Sequence, residues 1–340
     1  MAPADRAGRR CAAAGSESRA AEAARDVLAR GNAVDAVVAG VLMAAAESPG
    51  VLLGPLQLLA GGAGAGLIAI DGRVRQPGRG APRPRGFLST EPVPDAAWVG
   101  VPYLPAAAAT AVASLGAGTL LRAAGPALAW ARSHSPERAT VLEAIARRGA
   151  PALAGEAVSA ELRAVAGRAA RGLLTPDDLG EVLPAVTRCD ERSLGPSGFL
   201  TVPWRGQTPL DASSVHVVAA ADGRGLVAIA CYEAPLEGVP VPALGLVAPR
   251  AAAPVLRGKP RVAPGAPRPA AAPIALRPRA GVVELVLGMA AATDADPALD
   301  AMTRLFDTLS TFAEALNSPH SGRAVTIVCT RDSARTLASA

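Results

Sequence analysis

Ala29-Arg30-Gly31-Asn32-Ala33-Val34-Asp35-Ala36-Val37-Val38-Ala39 is the stretch from which the fold can be read. Gly31-Asn32 is the chemistry of a helix C-terminus, because both residues tolerate the backbone that ends a helix. The run that follows, Ala33 to Ala46, is nearly all apolar and broken by Asp35. A helix that is apolar all round belongs inside a protein. An ionised carboxylate there must accept hydrogen bonds or meet a cation. Its place in the first turn offers backbone N–H groups and the positive end of the helix dipole. The stretch therefore predicts a buried helix over 33–46, with Asp35 buried and paired.

Outward from this centre, Glu17 to Arg30 has the apolar spacing of an Ala-rich helix. Leu67 to Ile70 reads as a short buried strand turned by Asp71-Gly72, and Gln76 to Pro94 as a Pro-, Gly- and Arg-rich surface loop. Helices are expected over Pro105 to Ala131, with a break at Gly125-Pro126, then over Pro136 to Gly149 and Glu156 to Arg171. Thr175-Pro176-Asp177-Asp178 opens a further one, with Thr175 as N-cap and acids in the first turn. The texture then changes. Val215 to Ala221 and Gly225 to Tyr232 are β-like runs around Asp222-Gly223, a hairpin signal. Val282 to Met289 and Ala324 to Cys329 read as strands. Pro297 to Leu316 reads as an amphipathic helix. Helices first and strands later predict an α+β protein built in layers.

Composition limits the function classes. Half of the 340 residues are apolar but only 3% are aromatic, so the core must rest on Ala, Val and Leu. The formal charge of +5 is spread along the chain with few aromatics beside it, which predicts a solvated basic surface and no nucleic-acid partner. The four cysteines include no CxxC pair and the histidines number three, so no metal and no cofactor is expected. Val51 to Ile70 is long enough to span a bilayer, but its Gly and Pro residues favour a loop and a buried strand, hence no membrane partner. No leucine-rich segment follows the charged start, which predicts a cytoplasmic protein.

The quoted stretch closely resembles the G-N-A-V-D-A-A-V-A motif of the gamma-glutamyltransferases, N-terminal-nucleophile hydrolases. The order of later segments is similar. Arg79-Gly80-Ala81-Pro82 stands for R-E-x-A-P, and Gly100-Val101-Pro102-Tyr103 for G-V-P-G. Gly172-Leu173-Leu174-Thr175-Pro176-Asp177-Asp178-Leu179 stands for G-x-L-T-x-x-D-L, and Pro264-Gly265-Ala266-Pro267-Arg268-Pro269 echoes P-G-K-R-P. The resemblance spans about residues 17 to 330 and implies a layered αββα fold. It divides the chain into a disordered N-terminus (1–16), a large-subunit-like helical part (17–205) and a small-subunit-like part (206–340), together one compact domain. Family members are longer, and most of the missing length falls between Leu179 and Ser213.

What the resemblance implies chemically is gamma-glutamyl hydrolysis or transfer from glutathione-like amides. In this family the chain cleaves itself, and the new N-terminal Thr attacks the amide with its own α-amine as base. Aligned on Asp222-Gly223, that position falls on Ser213, with Ser214 as neighbour; the alternative is that both are only the polar start of a strand. Arg79 stands where the family holds the substrate carboxylate, with Arg73 and Arg75 close enough to substitute, and Glu233 where it has a substrate-binding Asn. Gly31, Asn32, Asp35 and Asp178 carry the structural motifs. Other positions depart from the pattern. T-x-T becomes Ile229-Ala230-Cys231, the serine pair becomes Ala270-Ala271-Ala272, and the Gly-Gly oxyanion element becomes Gly288-Met289-Ala290-Ala291. Activity is therefore expected to be weak or lost. The partner is a small amide or peptide if the chain is active. If it is not, it is a pseudoenzyme acting as a binding or assembly subunit, as a homo- or hetero-oligomer.

Overall fold

A computed structural model describes residues 11–62, 64–82, 84–194, 197–204, 213–235, 237–279, 282–290, 300, 303–304, 324–329 and 334–336. The helices are α1 (Ser18–Leu28), α2 (Ala33–Glu47), α3 (Leu104–Leu115), α4 (Leu120–Ala123), α5 (Gly125–His134), α6 (Pro136–Arg148), α7 (Glu156–Ala166) and α8 (Pro176–Gly180). One antiparallel sheet contains, in spatial order, β1 (Ala12–Gly15), β7 (Ser213–Ala221), β8 (Leu226–Pro235), β2 (Leu56–Gly62), β3 (Leu67–Gly72) and β4 (Ala185–Arg188). The second contains β14 (Ala334–Thr336), β13 (Ala324–Cys329), β12 (Val282–Met289), β11 (Ile274–Arg279), β6 (Ser197–Thr201) and β5 (Asp190–Leu194). A small ladder joins β9 (Gly238–Val241) to β10 (Leu246–Pro249).

Strand alternation sorts the first sheet into two faces. Val218, Ala220, Ala228, Ala230 and Tyr232 pack with α2 and the other helices. Val215, Val217, Ala219, Val227 and Ile229 pack against the second sheet, on Ile274, Leu276, Val286 and Ile327. The layers run helices, sheet, sheet, an α+β architecture with the predicted hairpin inside it. Asp222 closes that hairpin by accepting N–H bonds from Arg224 (2.8 Å) and Leu226 (3.1 Å). The sheets approach closely because of Gly288: a Cβ there would lie 2.8 Å from Ile229 Cδ1. The segment expected as an amphipathic helix, 297–316, lies almost wholly outside the described residues.

The opening motif is a bracing device. Asn32 caps α2, its side chain accepting from Val34 and Asp35 N–H, while Asp35 accepts from Asn32 N–H at 3.1 Å. The same carboxylate accepts from Ala117 N–H (3.0 Å) and Gly118 N–H (3.4 Å), and Asn32 donates to Leu115 O. The start of α2 is thus tied to the loop between α3 and α4. Gly31 is needed there, since a Cβ would sit 2.7 Å from Asp35 Oδ2. At the other end of α2, the Arg138 guanidinium donates to Glu47 O (3.0 Å), which suits the negative end of the dipole.

Three expectations need correction. Ala12–Gly15, assigned to a disordered N-terminus, forms β1 against β7. Asp71-Gly72 is not a turn but the end of β3, carried onward by pairing with Leu56 and Gln57. The helix expected over 105–131 breaks earlier, at Gly116, where a Cβ would meet Val112 O at 2.5 Å and Asp35 Oδ1 at 2.7 Å. Among the described residues no helix is long and apolar enough to cross a membrane.

Asp35→Ala takes the acceptor from two loop N–H groups and removes half of the capping box. We expect it to lower the unfolding free energy by about 2–3 kcal/mol, read as a lower urea midpoint at unchanged slope. An unchanged midpoint would contradict the bracing role.

Candidate functional site

Alternation places Cys231 and Glu233 of β8, Gln57 of β2 and Asp71 of β3 on the face of the first sheet that looks toward the second. Gln57 lies between Cys231 and Asp71 in register. The chain from Pro267 to Pro273 crosses this row, and Ala271 is its point of attachment. Ala271 N–H donates to Glu233 Oε1 at 2.8 Å. Its carbonyl accepts from the Gln57 amide and, at 3.3 Å, from Cys231 Sγ. The other end of the Gln57 amide accepts from the Trp204 indole N–H. Gln57 and Glu233 are each 1% exposed, so these polar groups are matched inside the protein, as burial requires.

Beside this row lies a buried ionic cluster. Arg73 binds Asp71 in bidentate fashion, Nε to Oδ1 and Nη2 to Oδ2, both at 2.9 Å. Arg75 reaches Asp71 Oδ2 at 2.9 Å. Each arginine also lies over a ring, Arg73 over Trp204 and Arg75 over Tyr103. Burial pushes the Asp71 carboxyl up. The Arg73 hydrogen bonds and the charges of Arg75 and Arg73 outweigh it and hold the carboxyl below its ordinary value of 3.8.

The residues singled out from sequence are dispersed. Ser213 is the first residue of β7, in register with Pro235; its side chain lies outside what is described. Ser214 follows on the opposite, helix-facing side of the strand. Its Oγ lies 2.8 Å from His216 Nε2, while His216 Nδ1 is 3.8 Å from Glu17 and its ring stacks on Tyr232. Ser214 and Glu233 are thus on opposite faces of one sheet. Arg79 turns away from Ala271: its guanidinium binds Glu181 Oε2 (3.1 Å) and Glu181 O (2.9 Å). Asp178 accepts from Gly78 N–H, Arg79 N–H and the Thr175 hydroxyl, fixing the arginine loop to α8. Gly31, Asn32 and Asp35 lie at the α2 brace described above.

What sequence reading missed is the matched row around Ala271. Asp71-Gly72-Arg73-Val74-Arg75 held the available signal: three charges at alternate positions are on one side of an extended chain. Gln57 and Trp204 offered none, because only the register brings them together. Burial pushes the Cys189 and Cys329 thiols up to about 12 and about 11, away from the reactive thiolate form. Among the described residues no three His, Cys, Asp or Glu side chains are grouped to hold a metal.

No protein-family model and no curated protein sequence matches the chain. Solved structures do. Cephalosporin acylase from Bacillus halodurans superimposes with a TM-score of 0.74 over 97% of this chain and 96% of its own, at 14% identity. The structure named LmbA2991HD matches at a TM-score of 0.70 and 13% identity, over 92% of this chain and 84% of its own. Gamma-glutamyltranspeptidase from Helicobacter pylori matches at 0.47 and 17% identity, over 59% of this chain and 71% of its own. The chain therefore has the α+β fold of this acylase, matched over nearly the whole of both chains.

Asp71→Asn leaves two buried guanidinium groups without their carboxylate. We expect a loss of about 3–5 kcal/mol, the usual cost of breaking a buried ion cluster on one side. The folded pKa of Asp71 is depressed, so its contribution is complete above 3.8 and is lost as pH falls through the lower folded value. Urea midpoints followed from pH 7 into acid should show this loss in the parent chain and lack this component in the variant.

Proposed function

We propose that this chain is a gamma-glutamyltransferase-like member of the N-terminal-nucleophile hydrolases whose hydrolysis or transfer of gamma-glutamyl groups from glutathione-like amides is weak or lost. The acylase likeness supports an amide-handling scaffold, and the motif order supports the gamma-glutamyl branch. The observation that carries the loss is the Ala271 peptide. Both its N–H and its C=O are taken up by Glu233, Gln57 and Cys231. A substrate that used Glu233 or Gln57 would have to displace this segment and leave buried polar groups unpaired, which costs about 1–3 kcal/mol for each.

If the chain acts, the chemistry runs through Ser213. Cleavage before it would free an α-amine able to accept the hydroxyl proton near neutral pH. The hydroxyl oxygen would then attack the gamma-glutamyl carbonyl. An ester to Ser213 forms, the amine leaves with a proton, and water or an amino group takes the acyl group. The negative oxygen needs preorganised donors, and the loss of one such donor typically slows the reaction by about 100- to 1,000-fold. At the corresponding place this chain has Gly288-Met289-Ala290, and Met289 N–H is already donated to Pro273 O at 3.0 Å. A second reading follows from the same saturation: an uncleaved pseudoenzyme serving as a binding or assembly subunit.

Intact mass of the purified protein separates the two. We expect a single uncut chain and little or no aniline released from a gamma-glutamyl anilide, with Ser213→Ala unchanged on both counts. Two chains with Ser213 as a new N-terminus, and release abolished in Ser213→Ala, would establish a working enzyme instead.

A further inference from the structure

Away from the Ala271 row, residues 79–82, 84–87 and 91 on one side and 168 and 171–177 on the other line a cavity of about 670 Å³, within the range of small-molecule sites. Its lining is apolar at Phe87, Leu173 and Leu174 and basic at Arg85, Arg168 and Arg171. Glu91 and Asp177 are the acids of the lining. Among the described residues neither Arg85 nor Arg168 has a carboxylate partner. Arg171 meets Glu91 only at 3.9 Å, and its guanidinium lies 5.0 Å from the centre of the Phe87 ring. Three exposed arginines thus line an aromatic and aliphatic surface, and among the described residues only Arg171 has a carboxylate near it. Arg79, at the rim, is committed to Glu181.

Both walls are held by the backbone. Phe87 N–H donates to Val255 O (2.9 Å) and its carbonyl accepts from Arg257 N–H (2.8 Å). Opposite, Gly172 N–H donates to Gly167 O (2.9 Å) and Leu174 N–H to Ala166 O (3.0 Å). Between those bonds Arg171 adopts φ 65°, the left-handed conformation, which no other described non-glycine residue has. Such a backbone persists only where its surroundings fix it, and it concentrates at ligand clamps. It aims the one guanidinium that bridges the two walls.

We infer that this cavity binds a small organic anion, a carboxylate or phosphate carried on a flat apolar body. The head group would draw Arg171 from its loose contact with Glu91 and gain Arg168 and Arg85, while the body would stack on Phe87 and cover Leu173. None of these residues belongs to the Ala271 row, so the inference stands whether or not the chain cleaves amides.

Calorimetric titration of the full chain at low salt tests it, with phenyl phosphate, benzoate, inorganic phosphate and benzyl alcohol as probes. One of the two aromatic anions should bind with 1:1 stoichiometry and about tenfold tighter than either inorganic phosphate or the neutral alcohol; the better of the pair identifies the head group. The double variant Arg168→Gln, Arg171→Gln should weaken binding by about tenfold or more, and added salt should weaken it in the parent chain. Should the double variant melt early, Arg85→Gln alone should still weaken binding by about threefold. No saturable binding of either aromatic anion, equal affinity for inorganic phosphate, or full affinity in a folded double variant would overturn the inference.

Discussion

Two buried carboxylates carry the architecture of the helical half, and they do so in the same way. Asp35 completes the capping box of α2 and Asp178 that of α8. Each also accepts N–H groups from a loop far along the chain, at Ala117 and Gly118 for Asp35 and at Gly78 and Arg79 for Asp178. A helix start offers its own donors to a carboxylate, so the charge is already half-solvated by the helix it caps. Adding two loop donors removes the remaining cost of burial and fixes the loop in return. Helix order and loop position are thereby set by a single side chain in each case.

The layers between these braces rely on small residues. Helix α2 is buried along nearly its whole length, and Ala, Val and Gly supply most of its surface. Such side chains bury little area each, at about 25 cal/mol per Å², so the stabilisation is spread over many contacts. Close approach is the compensation, as at Gly288, where the two sheets meet without room for a methyl group. The same density leaves the Ala271 segment nowhere to move without disturbing Gln57, Glu233 and Trp204.

Much of the fold was legible because it is written in contiguous residues. Gly31-Asn32 and the apolar run behind it mark α2, Thr175-Pro176-Asp177-Asp178 marks α8, and Asp222-Gly223 marks the hairpin. β2 was hidden because Leu56 to Gly62 carries glycines and no alternation, being buried on both faces. β1 was hidden because Ala12-Ala13-Ala14-Gly15 has no strand propensity of its own and takes its conformation from β7. The site was less legible than the fold. Its row joins residues from β2, β3, β8 and the 267–273 crossing, and only strand register decides which of them meet. Arg79 followed the motif into a loop held by Asp178, while Arg73 and Arg75, two and four residues beyond Asp71, form the buried pair.

The order of strands in the first sheet also bears on how the chain is made. β2 is hydrogen-bonded on one side to β3, its close neighbour in sequence, but on the other to β8, which ends at Pro235. β1 waits longer still, since Ala12–Gly15 pair with residues 218–221. On a ribosome adding about 5–20 residues per second, α2 would emerge with no sheet to cover it for on the order of ten seconds or more. Its apolar surface is continuous and has no charged flank after Asp35 until Glu47. Until those strands arrive, only elements already made, α1 among them, can cover that surface, which is not so in a protein with sequentially adjacent strands.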